Sequence, residues 1–432
     1  MLELERVKKN QVDEEDSLPK KRSRRTRGAG GTAVTTLLAL TTAGCGSSIA
    51  PTPSEAYTPA PIETAGQSAF PSVNTEPAAT SSSSEGAVIF SSPTPDALPT
   101  PNFLEVEPSN KQLIPRLKDV AGKAGMYIGE EMTGYGQSNP DWLNIFESQF
   151  NFATIDWGLG WGDSEPSQGN FDFSIADRQV RLAQEYGMKI RGQALVFPSN
   201  LPQWLSNRNF SKSQLTKILE NHITTVMKHF KGEIKEWVVV NEPYIYPYRQ
   251  NDIFYKTIGP NYIDLAFKTA RQADPSATLI YNDSANESSN SNNPNGLTTA
   301  LTRETVQRLK KEGLVDMVGV QMHLDASNPP SKQDVINTIK SYGLPVAITE
   351  FDIDLQNVAG TEKQRYALQA QIATNMVGAC RQSGVCKEFT LWGIDDAYSM
   401  YAMNRGEKNS AATPFDANLQ PKPEYFAIRK AL

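Results

Sequence analysis

The stretch Trp237-Val-Val-Val-Asn-Glu-Pro243 is an apolar run that stops abruptly at an amide and a carboxyl side chain. A short continuous apolar run is typical of a strand that is buried on both faces, as in a parallel sheet. Such a strand does not normally end on an unpaired carboxylate, because removing the charge from water is costly. In a (β/α)8 barrel, however, the C-terminal strand ends carry the chemistry. Glu242 is therefore predicted to be a catalytic acid at the end of a barrel strand.

A second run of this type, Pro345-Val-Ala-Ile-Thr-Glu-Phe-Asp-Ile353, follows about a hundred residues later and contains Glu350. This separation leaves room for three strand–helix units, so the two glutamates would lie across the mouth of one barrel. Glycoside hydrolysis requires two such carboxyl groups, one protonated and one ionised; a spacing of roughly 5–5.5 Å gives retention and roughly 6.5–9.5 Å gives inversion. We therefore predict that Glu242 and Glu350 form a hydrolytic pair. A helix cap or a surface pair is the alternative for either glutamate taken alone.

Length and composition limit the class of protein. The chain has 432 residues, 39% of them hydrophobic, and a net charge of −6. This is enough for one large barrel, which takes roughly 250 residues or more, together with additional segments. The acidic balance argues against nucleic acid as a partner. We expect an α/β fold, a (β/α)8 TIM barrel over residues 109–432, and a monomer.

Residues 1–45 have the three parts of an export signal. The basic cluster Lys20–Arg27 precedes the small and apolar stretch Gly28–Ala43, and small residues lead up to Cys45. The ending Ala-Gly-Cys resembles a bacterial lipobox, in which Cys45 would become the lipidated first residue of the mature protein. The apolar stretch is too short to span a membrane. The sequence thus predicts an exported protein with a lipid anchor in the membrane; the alternatives are an ordinary cleaved signal, with secretion, or a wrongly assigned start.

Residues 46–108 are predicted to be a disordered linker. Ser, Thr and Pro make up roughly half of this segment, for example in Thr80–Ser84 and Ser92–Pro95. Such a composition buries too little apolar area to offset the loss of chain entropy. We expect an extended tether between the membrane and the barrel.

From about residue 110 onward, apolar strand candidates alternate with helical patterns, which indicates repeated βα units. Eight strands, the number in a TIM barrel, are predicted at Gly125–Gly129, Phe150–Ile155, Met188–Phe197, Ile234–Asn241, Thr278–Asn282, Met317–Met322, Val346–Phe351 and Glu388–Trp392.

Polar and aromatic side chains recur at the C-terminal ends of these strands. They are Asp156, Trp157, Gln193, Asn241, Asn282, Gln321, His323, Asp352 and Trp392. Sugar hydroxyls need hydrogen-bond partners and sugar ring faces need flat aromatics, so this set predicts a carbohydrate site. We expect His323 to bond to the nucleophile Glu350, with Asp352 behind it; a core histidine satisfied by other groups is the alternative.

The histidines and cysteines do not predict a metal or a cofactor. Only His222 and His229 accompany His323, and we expect these two to be surface or packing residues of one helix. Cys380 and Cys386 have no nearby histidine or further cysteine for a zinc site. Export permits a disulfide, and six residues can close one across a turn; two free thiols are the alternative.

Several segments resemble glycoside hydrolase family 10, the retaining endo-β-1,4-xylanases. They are Trp237–Glu242, Ile348–Ile353, Leu391–Asp396, Glu165–Phe171, Gly187–Gly192, Tyr281–Asp283 and Gly319–His323, which follow in the family's order from about residue 115 to the C-terminus. The spacing of the two cysteines is similar to a disulfide common in that family.

The resemblance implies a role for each matching residue. Glu242 would be the acid/base and Glu350 the nucleophile, and Asn241 would bind the sugar 2-hydroxyl. Gln321 and His323 would position the nucleophile, and Trp392 would form a sugar platform. The negative charge of Glu350 is expected to help raise the pKa of Glu242 before attack.

The chain departs from the family pattern on the glycone side. After strand two the family carries Glu-Asn and then a Lys, where this chain has Asp156, Trp157 and Gly160. After strand three the family carries Gly-His…Trp-His, where this chain has Gln193, Phe197 and Pro198. A late Trp of the family is replaced here by Met400. We expect Trp157 and Tyr398 to provide new stacking surfaces. The leading hypothesis is thus a retaining, xylanase-like hydrolase of β-1,4-linked polysaccharide. The alternatives are a hydrolase of another β-glycan or a decorated oligosaccharide, and a non-catalytic glycan-binding lipoprotein.

Overall fold

The computed structural model of the chain describes residues 115–132, 134, 136–244, 252–289, 295–406 and 410–432. The predicted signal segment with Cys45, the predicted linker over residues 46–108 and the first residues of the predicted barrel domain, 109–114, lie outside this range. The domain boundaries after residues 45 and 108 therefore stay predictions.

The described residues form a parallel sheet. Its strands are β1 (Tyr127–Glu131), β2 (Phe152–Ile155), β3 (Lys189–Gly192), β4 (Glu236–Asn241), β5 (Thr278–Asp283), β6 (Met317–Val320), β7 (His323–Asp325), β8 (Val346–Asp354) and β9 (Cys386–Leu391).

These strands close into an eight-stranded barrel, as predicted. β1 to β6 pair in sequence order, β6 pairs with β8, and β9 pairs with both β8 and β1. The short strand β7 stands outside this ring and pairs only with the extended end of β8, with His323 opposite Asp352. Every residue of β4 and β8 is buried, because helices cover the outer face and side chains fill the interior.

The helices that surround the barrel and its loops are α1 (Leu117–Lys123), α2 (Pro140–Gln149), α3 (Trp161–Ser164), α4 (Ser174–Glu185), α5 (Gln203–Ser206), α6 (Lys212–His229), α7 (Ile253–Thr257), α8 (Tyr262–Ala273), α9 (Asn295–Lys311), α10 (Lys332–Ser341), α11 (Glu362–Ser383), α12 (Met400–Arg405) and α13 (Pro423–Ala431). Two of the longest, α6 and α11, begin with a capping box, made by Ser211 with Gln214 and by Thr361 with Gln364, which satisfies backbone N–H groups of the first turn. None of the helices within the described ranges is both long and apolar enough to cross a bilayer.

Six of the eight predicted strands end at different residues in the structure. β5, β8 and β9 end at Asp283, Asp354 and Leu391 instead of Asn282, Phe351 and Trp392. The other three differences bear on the site. β1 continues to Glu131 instead of ending at Gly129, which brings two glutamates into the strand. β3 ends at Gly192, not at Phe197; beyond it the chain moves onto β4, where the N–H groups of Leu195 and Val196 donate to the carbonyls of Val238 and Val239. β6 ends at Val320, so His323 belongs to β7 and not to the end of β6.

A buried ionic cluster links three strands inside the barrel. Lys189 and Arg191 of β3 pair with Glu236 of β4 and Glu388 of β9, with Arg191 Nη2 2.5 Å from Glu388 Oε2 and Lys189 Nζ 2.7 Å from Glu388 Oε1. The Arg191 side chain is fully buried. Each buried charge thus has a partner of the opposite sign, without which burial would be strongly unfavourable.

Cys380 and Cys386 form a disulfide in the structure, with their Cα atoms 5.0 Å apart. The bond joins the last turn of α11 to the first residue of β9. Gly384, between them, ends the helix with a positive φ of 74°, a conformation that glycine adopts without a steric penalty.

Candidate active site

One of the two predicted catalytic glutamates directly follows β4, and the other lies in β8 just beyond the residues that pair with β6. Glu242 directly follows β4, and its N–H donates to the carbonyl of Asn282 at 3.0 Å. Its φ of 52° places a non-glycine residue in the left-handed region, which the fold must stabilise because this conformation costs of order 1 kcal/mol or more. Glu350 lies within β8 and is only 4% exposed. The buried strands thus present both carboxyl groups at one end of the barrel.

Three side chains hold the carboxyl group of Glu350. Its Oε1 accepts hydrogen bonds from Gln193 Nε2 and Asn282 Nδ2, both at 2.8 Å, and its Oε2 lies 3.1 Å from His323 Nε2. Donors from three strands or strand ends converge here. Hydrogen bonds of this kind favour the ionised form of a carboxyl group, because only that form accepts all of them.

His323 is itself held from behind, as predicted. Its Nδ1 lies 2.9 Å from Asp352 Oδ2, and Asp352 Oδ1 accepts a hydrogen bond from the Tyr401 hydroxyl at 3.0 Å. Burial lowers the pKa of His323, but its contacts with Asp352 and Glu350 outweigh burial and raise this pKa well above the ordinary value. A protonated His323 can therefore donate to Asp352 Oδ2 and to Glu350 Oε2 at the same time. The sequence did not point to Tyr401, because it lies on α12 and not at a strand end.

The carboxyl group of Glu242 has a different environment. The pKa of Glu242 is raised to about 7, mainly by burial. The charge of Glu350 also raises this pKa, whereas the hydrogen bond from Gln321 and the charge of His323 lower it. Gln321 Nε2 donates to Glu242 Oε1 at 2.7 Å. The expected role of Gln321 was wrong in this respect: its side chain positions Glu242, and only its backbone carbonyl contacts Glu350, accepting from the N–H of that residue at 3.1 Å.

Asn241 connects the two halves of the site. Its Oδ1 accepts hydrogen bonds from Asn282 Nδ2 at 2.8 Å and from Gln321 Nε2 at 3.2 Å. The same two donors also bond to Glu350 and Glu242 respectively, so one amide network runs between the carboxyl groups. Asn241 Nδ2 donates to no acceptor among the described residues. This N–H group is therefore suited to donate to a sugar hydroxyl.

The glycone side carries more acidic groups than the sequence indicated. Burial raises the pKa of Asp156 to about 8, with further contributions from the charges of Glu350, Asp163 and Glu242. Burial and the charges of Asp156 and Glu350 raise the pKa of Glu131 well above its ordinary value. Glu131 was missed because the predicted first strand stopped at Gly129.

The predicted aromatic surfaces lie at the rim. Trp157 and Tyr398 are each 39% exposed, which leaves ring surface available for a sugar. Trp157 packs over Gly134, where an added Cβ would lie 2.6 Å from the indole ring. The ring of Trp392 stands edge-on to His323 with centroids 6.4 Å apart, so it lies next to the imidazole that contacts Glu350.

The other histidines lie outside this network. His222 is fully buried, stacks on Trp161 with ring centroids 3.8 Å apart, and has Nδ1 2.9 Å from Glu165 Oε2, so its predicted packing role is confirmed. His229 is a surface residue, 2.7 Å from Asp177. Within the described part of the chain, no three His, Cys, Asp or Glu side chains form a group that could hold a metal ion.

A TIM barrel that brings two glutamate carboxyl groups together in one hydrogen-bond network, each with different donors, has the architecture of a glycoside hydrolase. The family profile of glycosyl hydrolase family 10 matches residues 116–431, nearly the whole described range. The chain therefore belongs to this family of enzymes.

Known relatives agree with this assignment. The chain is 32% identical over 324 residues to endo-1,4-beta-xylanase B of Thermotoga neapolitana, covering 73% of this chain and 91% of that protein. It is 34% identical over 286 residues to an endo-1,4-beta-xylanase of Agaricus bisporus, covering 65% and 83%. The crystal structure of xylanase 10B from Thermotoga maritima superposes with a TM-score of 0.68 at 32% identity, covering 73% of this chain and 97% of that one.

We predict that Glu350→Gln lowers the pKa of Glu242. The substitution removes the charge that opposes ionisation of Glu242, while burial still keeps this pKa above its ordinary value. The change is measured by ¹³C NMR titration of the glutamate side-chain carboxyl signals. Glu312→Gln, at the surface ion pair with Lys268, is the control and should leave the titration of Glu242 unchanged. A pKa of Glu242 that is the same in Glu350→Gln and in the parent protein would contradict this electrostatic coupling.

Proposed function

We propose that the protein is a retaining, endo-β-1,4-xylanase-like hydrolase in which Glu350 is the nucleophile and Glu242 is the acid/base. One observation carries the assignment of roles. The carboxyl group of Glu350 accepts hydrogen bonds on both oxygens, including one from an imidazolium, whereas Glu242 has a pKa of about 7. At neutral pH Glu350 is thus held ready to attack, and a substantial fraction of Glu242 carries a proton to donate.

The first step forms a covalent bond between Glu350 and the anomeric carbon. Oε1 of Glu350 already accepts two hydrogen bonds and Oε2 only one, so we assign Oε2, with its freer lone pair, as the attacking atom. As this bond forms, the bond from the anomeric carbon to the leaving oxygen breaks. That oxygen takes the proton of Glu242. Asn241 Nδ2 is the donor that we assign to the sugar 2-hydroxyl.

The second step reverses the role of Glu242. The ester on Glu350 carries no negative charge, so the pKa of Glu242 falls and its carboxylate can take a proton from water. The resulting hydroxide attacks the anomeric carbon, the ester bond breaks, and Glu350 leaves as a carboxylate. Gln193, Asn282 and His323 stabilise that leaving carboxylate with the same hydrogen bonds that hold it before the reaction. Two inversions give net retention of configuration.

We predict that Glu242→Ala and Glu350→Ala each remove most activity on polysaccharide, by roughly 10²–10⁴-fold or more, as expected for loss of general acid or nucleophile. Added azide distinguishes their roles. With an activated aryl β-glycoside, Glu350→Ala should yield the α-glycosyl azide, because azide replaces the nucleophile. Glu242→Ala should yield the β-glycosyl azide, because azide attacks the glycosyl-enzyme. Product configuration is read by ¹H NMR.

Glu312→Ala is the control for this experiment and should retain parent activity, since Glu312 lies in an exposed ion pair on the surface. Full activity in either Glu242→Ala or Glu350→Ala, or the opposite azide anomers, would contradict the proposed roles.

A second candidate is hydrolysis of a different β-glycan or of a decorated oligosaccharide. The observation in its favour is the glycone side, where Asp156 and Glu131 lie near Glu350 and the exposed Trp157 stands at the rim. The values of kcat/KM on xylan, mixed-linkage glucan, mannan and aryl glycosides separate the two candidates. Fastest cleavage of undecorated xylan would remove the second one. A non-catalytic glycan-binding role is removed if reducing ends are released and Glu350→Ala abolishes this release.

We also propose that the enzyme acts outside the cell as a monomer, anchored by a lipid on Cys45, with residues 46–108 as the tether and with the Cys380–Cys386 disulfide formed after export. The support is the signal-like sequence before Cys45, the composition of the linker, and a polymeric substrate that does not enter cells. Cys45→Ala should move the protein from the membrane fraction to the medium or block its processing. An unchanged distribution and unchanged mass of the mature protein would contradict the anchor.

A further inference from the structure

A second cleft lies apart from the paired glutamates, among the connections that follow β2 and β3. It occupies about 680 Å³ between the segment after α3, the segment before α6, and one face of the N-terminal half of α6. None of the residues that line it contacts Glu242 or Glu350 in the network described above. The cleft is therefore a separate feature of the surface and not an extension of the catalytic contacts.

The charge of this cleft is opposite to that of the chain as a whole. Arg208 and Lys217 line it, and both are exposed. Neither has an ion pair with another residue in the described ranges, although the chain carries a net charge of −6. The carboxyl group in the lining, that of Glu165, is 2% exposed and accepts hydrogen bonds from Trp161 Nε1, the Gly169 N–H and His222 Nδ1. Two cationic side chains thus remain available to an anionic ligand.

The rest of the lining suits a carbohydrate. The lining includes the amide side chains of Gln168, Asn209 and Asn221. Within the described lining, these three side chains make no hydrogen bonds to one another or to other residues of the cleft. Phe210 and Ile218 are half-buried against the hydrophobic core and form an apolar floor. Amides to bond hydroxyls and an apolar surface for a ring face are the features of a sugar site.

The walls of the cleft are fixed by internal bonds. Trp161 of α3 and His222 of α6 join Glu165 in the first wall to these two helices, and the Gly169 N–H closes the wall on itself. Trp204 Nε1 donates to the carbonyl of Glu165 at 2.9 Å. The Ser211–Gln214 capping box fixes the start of α6. A preformed site loses little conformational entropy when a ligand binds, so the cleft does not need to reorganise to hold a sugar chain.

The position of the cleft relates it to the catalytic site. Its walls belong to the connections that follow β2 and β3, which also carry Asp156, Trp157 and Gln193. In a (β/α)8 barrel these connections lie at the end where the strands present their catalytic side chains. We propose that this cleft is a second carbohydrate-binding site, which holds a uronic-acid-substituted stretch of the same xylan whose backbone is cut at Glu242 and Glu350. This inference rests on the proposed function for the identity of the polysaccharide.

Binding and hydrolysis are measured separately to test this site. In the full-length Glu350→Ala protein, dissociation constants are determined by affinity electrophoresis for uronic-acid-substituted xylan, for neutral arabinose-substituted xylan and for polygalacturonate. Arg208→Gln together with Lys217→Gln should weaken binding to uronic-acid-substituted xylan about fivefold, the effect of two exposed ion pairs. Binding to neutral xylan should not change, and the loss should shrink at high salt.

The control is Arg181→Gln together with Lys228→Gln, which replaces two exposed cations of α4 and α6 that lie outside the cleft. It makes the same change in net charge, and it should leave the dissociation constants for all three polysaccharides unchanged. In the active background, the cleft variant should cleave an aryl β-xylobioside at the parent rate, which also shows that it folds. Equal weakening for neutral and acidic xylan, equal weakening in the control, or no weakening would overturn the proposed site. Binding of polygalacturonate as tight as that of the substituted xylan would overturn its assignment to xylan. If the parent enzyme does not cleave the xylobioside, by contrast, the proposed function is refuted and the proposed binding site in the cleft is not.

Discussion

Two carboxyl groups must lie close enough to share one sugar bond and yet keep opposite protonation states. Asn282 and Gln321 meet this requirement: each donates to Asn241 Oδ1, and each also donates to one of the carboxyl groups, Glu350 and Glu242 respectively. The mutual repulsion of the two acids is then not relieved by movement, because buried amides hold them in place. Burial raises the pKa of Glu242, the group with fewer donors, and the repulsion from Glu350 raises it further. The rest of the site depends on these amides, which keep the two carboxyl groups in different hydrogen-bond environments.

The barrel makes the amide network rigid. Gly319 of β6 leaves the space that Asn282 occupies, since a Cβ at that position would lie 2.1 Å from Asn282 Oδ1. Thr349 Oγ1 donates to the same Oδ1 at 2.8 Å. Each hydrogen-bonding atom of the Asn282 amide therefore has a partner, and the side chain cannot turn without losing buried hydrogen bonds, which costs about 1–3 kcal/mol for each unsatisfied group. Further back, the Asp352–Tyr401 contact fixes His323 in the same way.

The sequence predicted the parts of the molecule that follow from local pattern. Apolar runs gave the eight barrel strands, and the abrupt change to Glu242 and to Glu350 placed both acids at the same end. Geometry beyond the strand ends was not predictable in this way. Nothing in the pattern around Gln321 shows that its side chain turns toward Glu242, or that Gln193 reaches across the barrel to Glu350. Glu131 was missed because β1 ends in two glutamates, so no apolar residue marks the end of the strand. Tyr401 was missed because it lies on a separate short helix.

The glycone side is where this chain differs most from the pattern of its family, and its physical character is acidic. Asp156 and Glu131 lie within electrostatic reach of Glu350, and burial together with the charge of Glu350 raises the pKa of both. With a pKa of about 8, Asp156 can donate as well as accept a hydrogen bond near neutral pH. Further acidic side chains thus lie near Glu242 and Glu350. Among these groups, Glu350 accepts hydrogen bonds from three side chains on its two oxygens, and for this reason we propose it as the nucleophile.

The most direct measurement is the covalent trapping of the nucleophile. A 2-deoxy-2-fluoro-β-xylobioside with a good leaving group keeps the first step fast and slows the second, so the glycosyl-enzyme accumulates. Mass spectrometry of the intact protein followed by peptide mapping locates the label. The account predicts a mass increase of one fluoroxylobiosyl group on the peptide that contains Glu350. A label on Asp156, Glu131 or Glu242, or turnover with inverted configuration and no trapped intermediate, would contradict it.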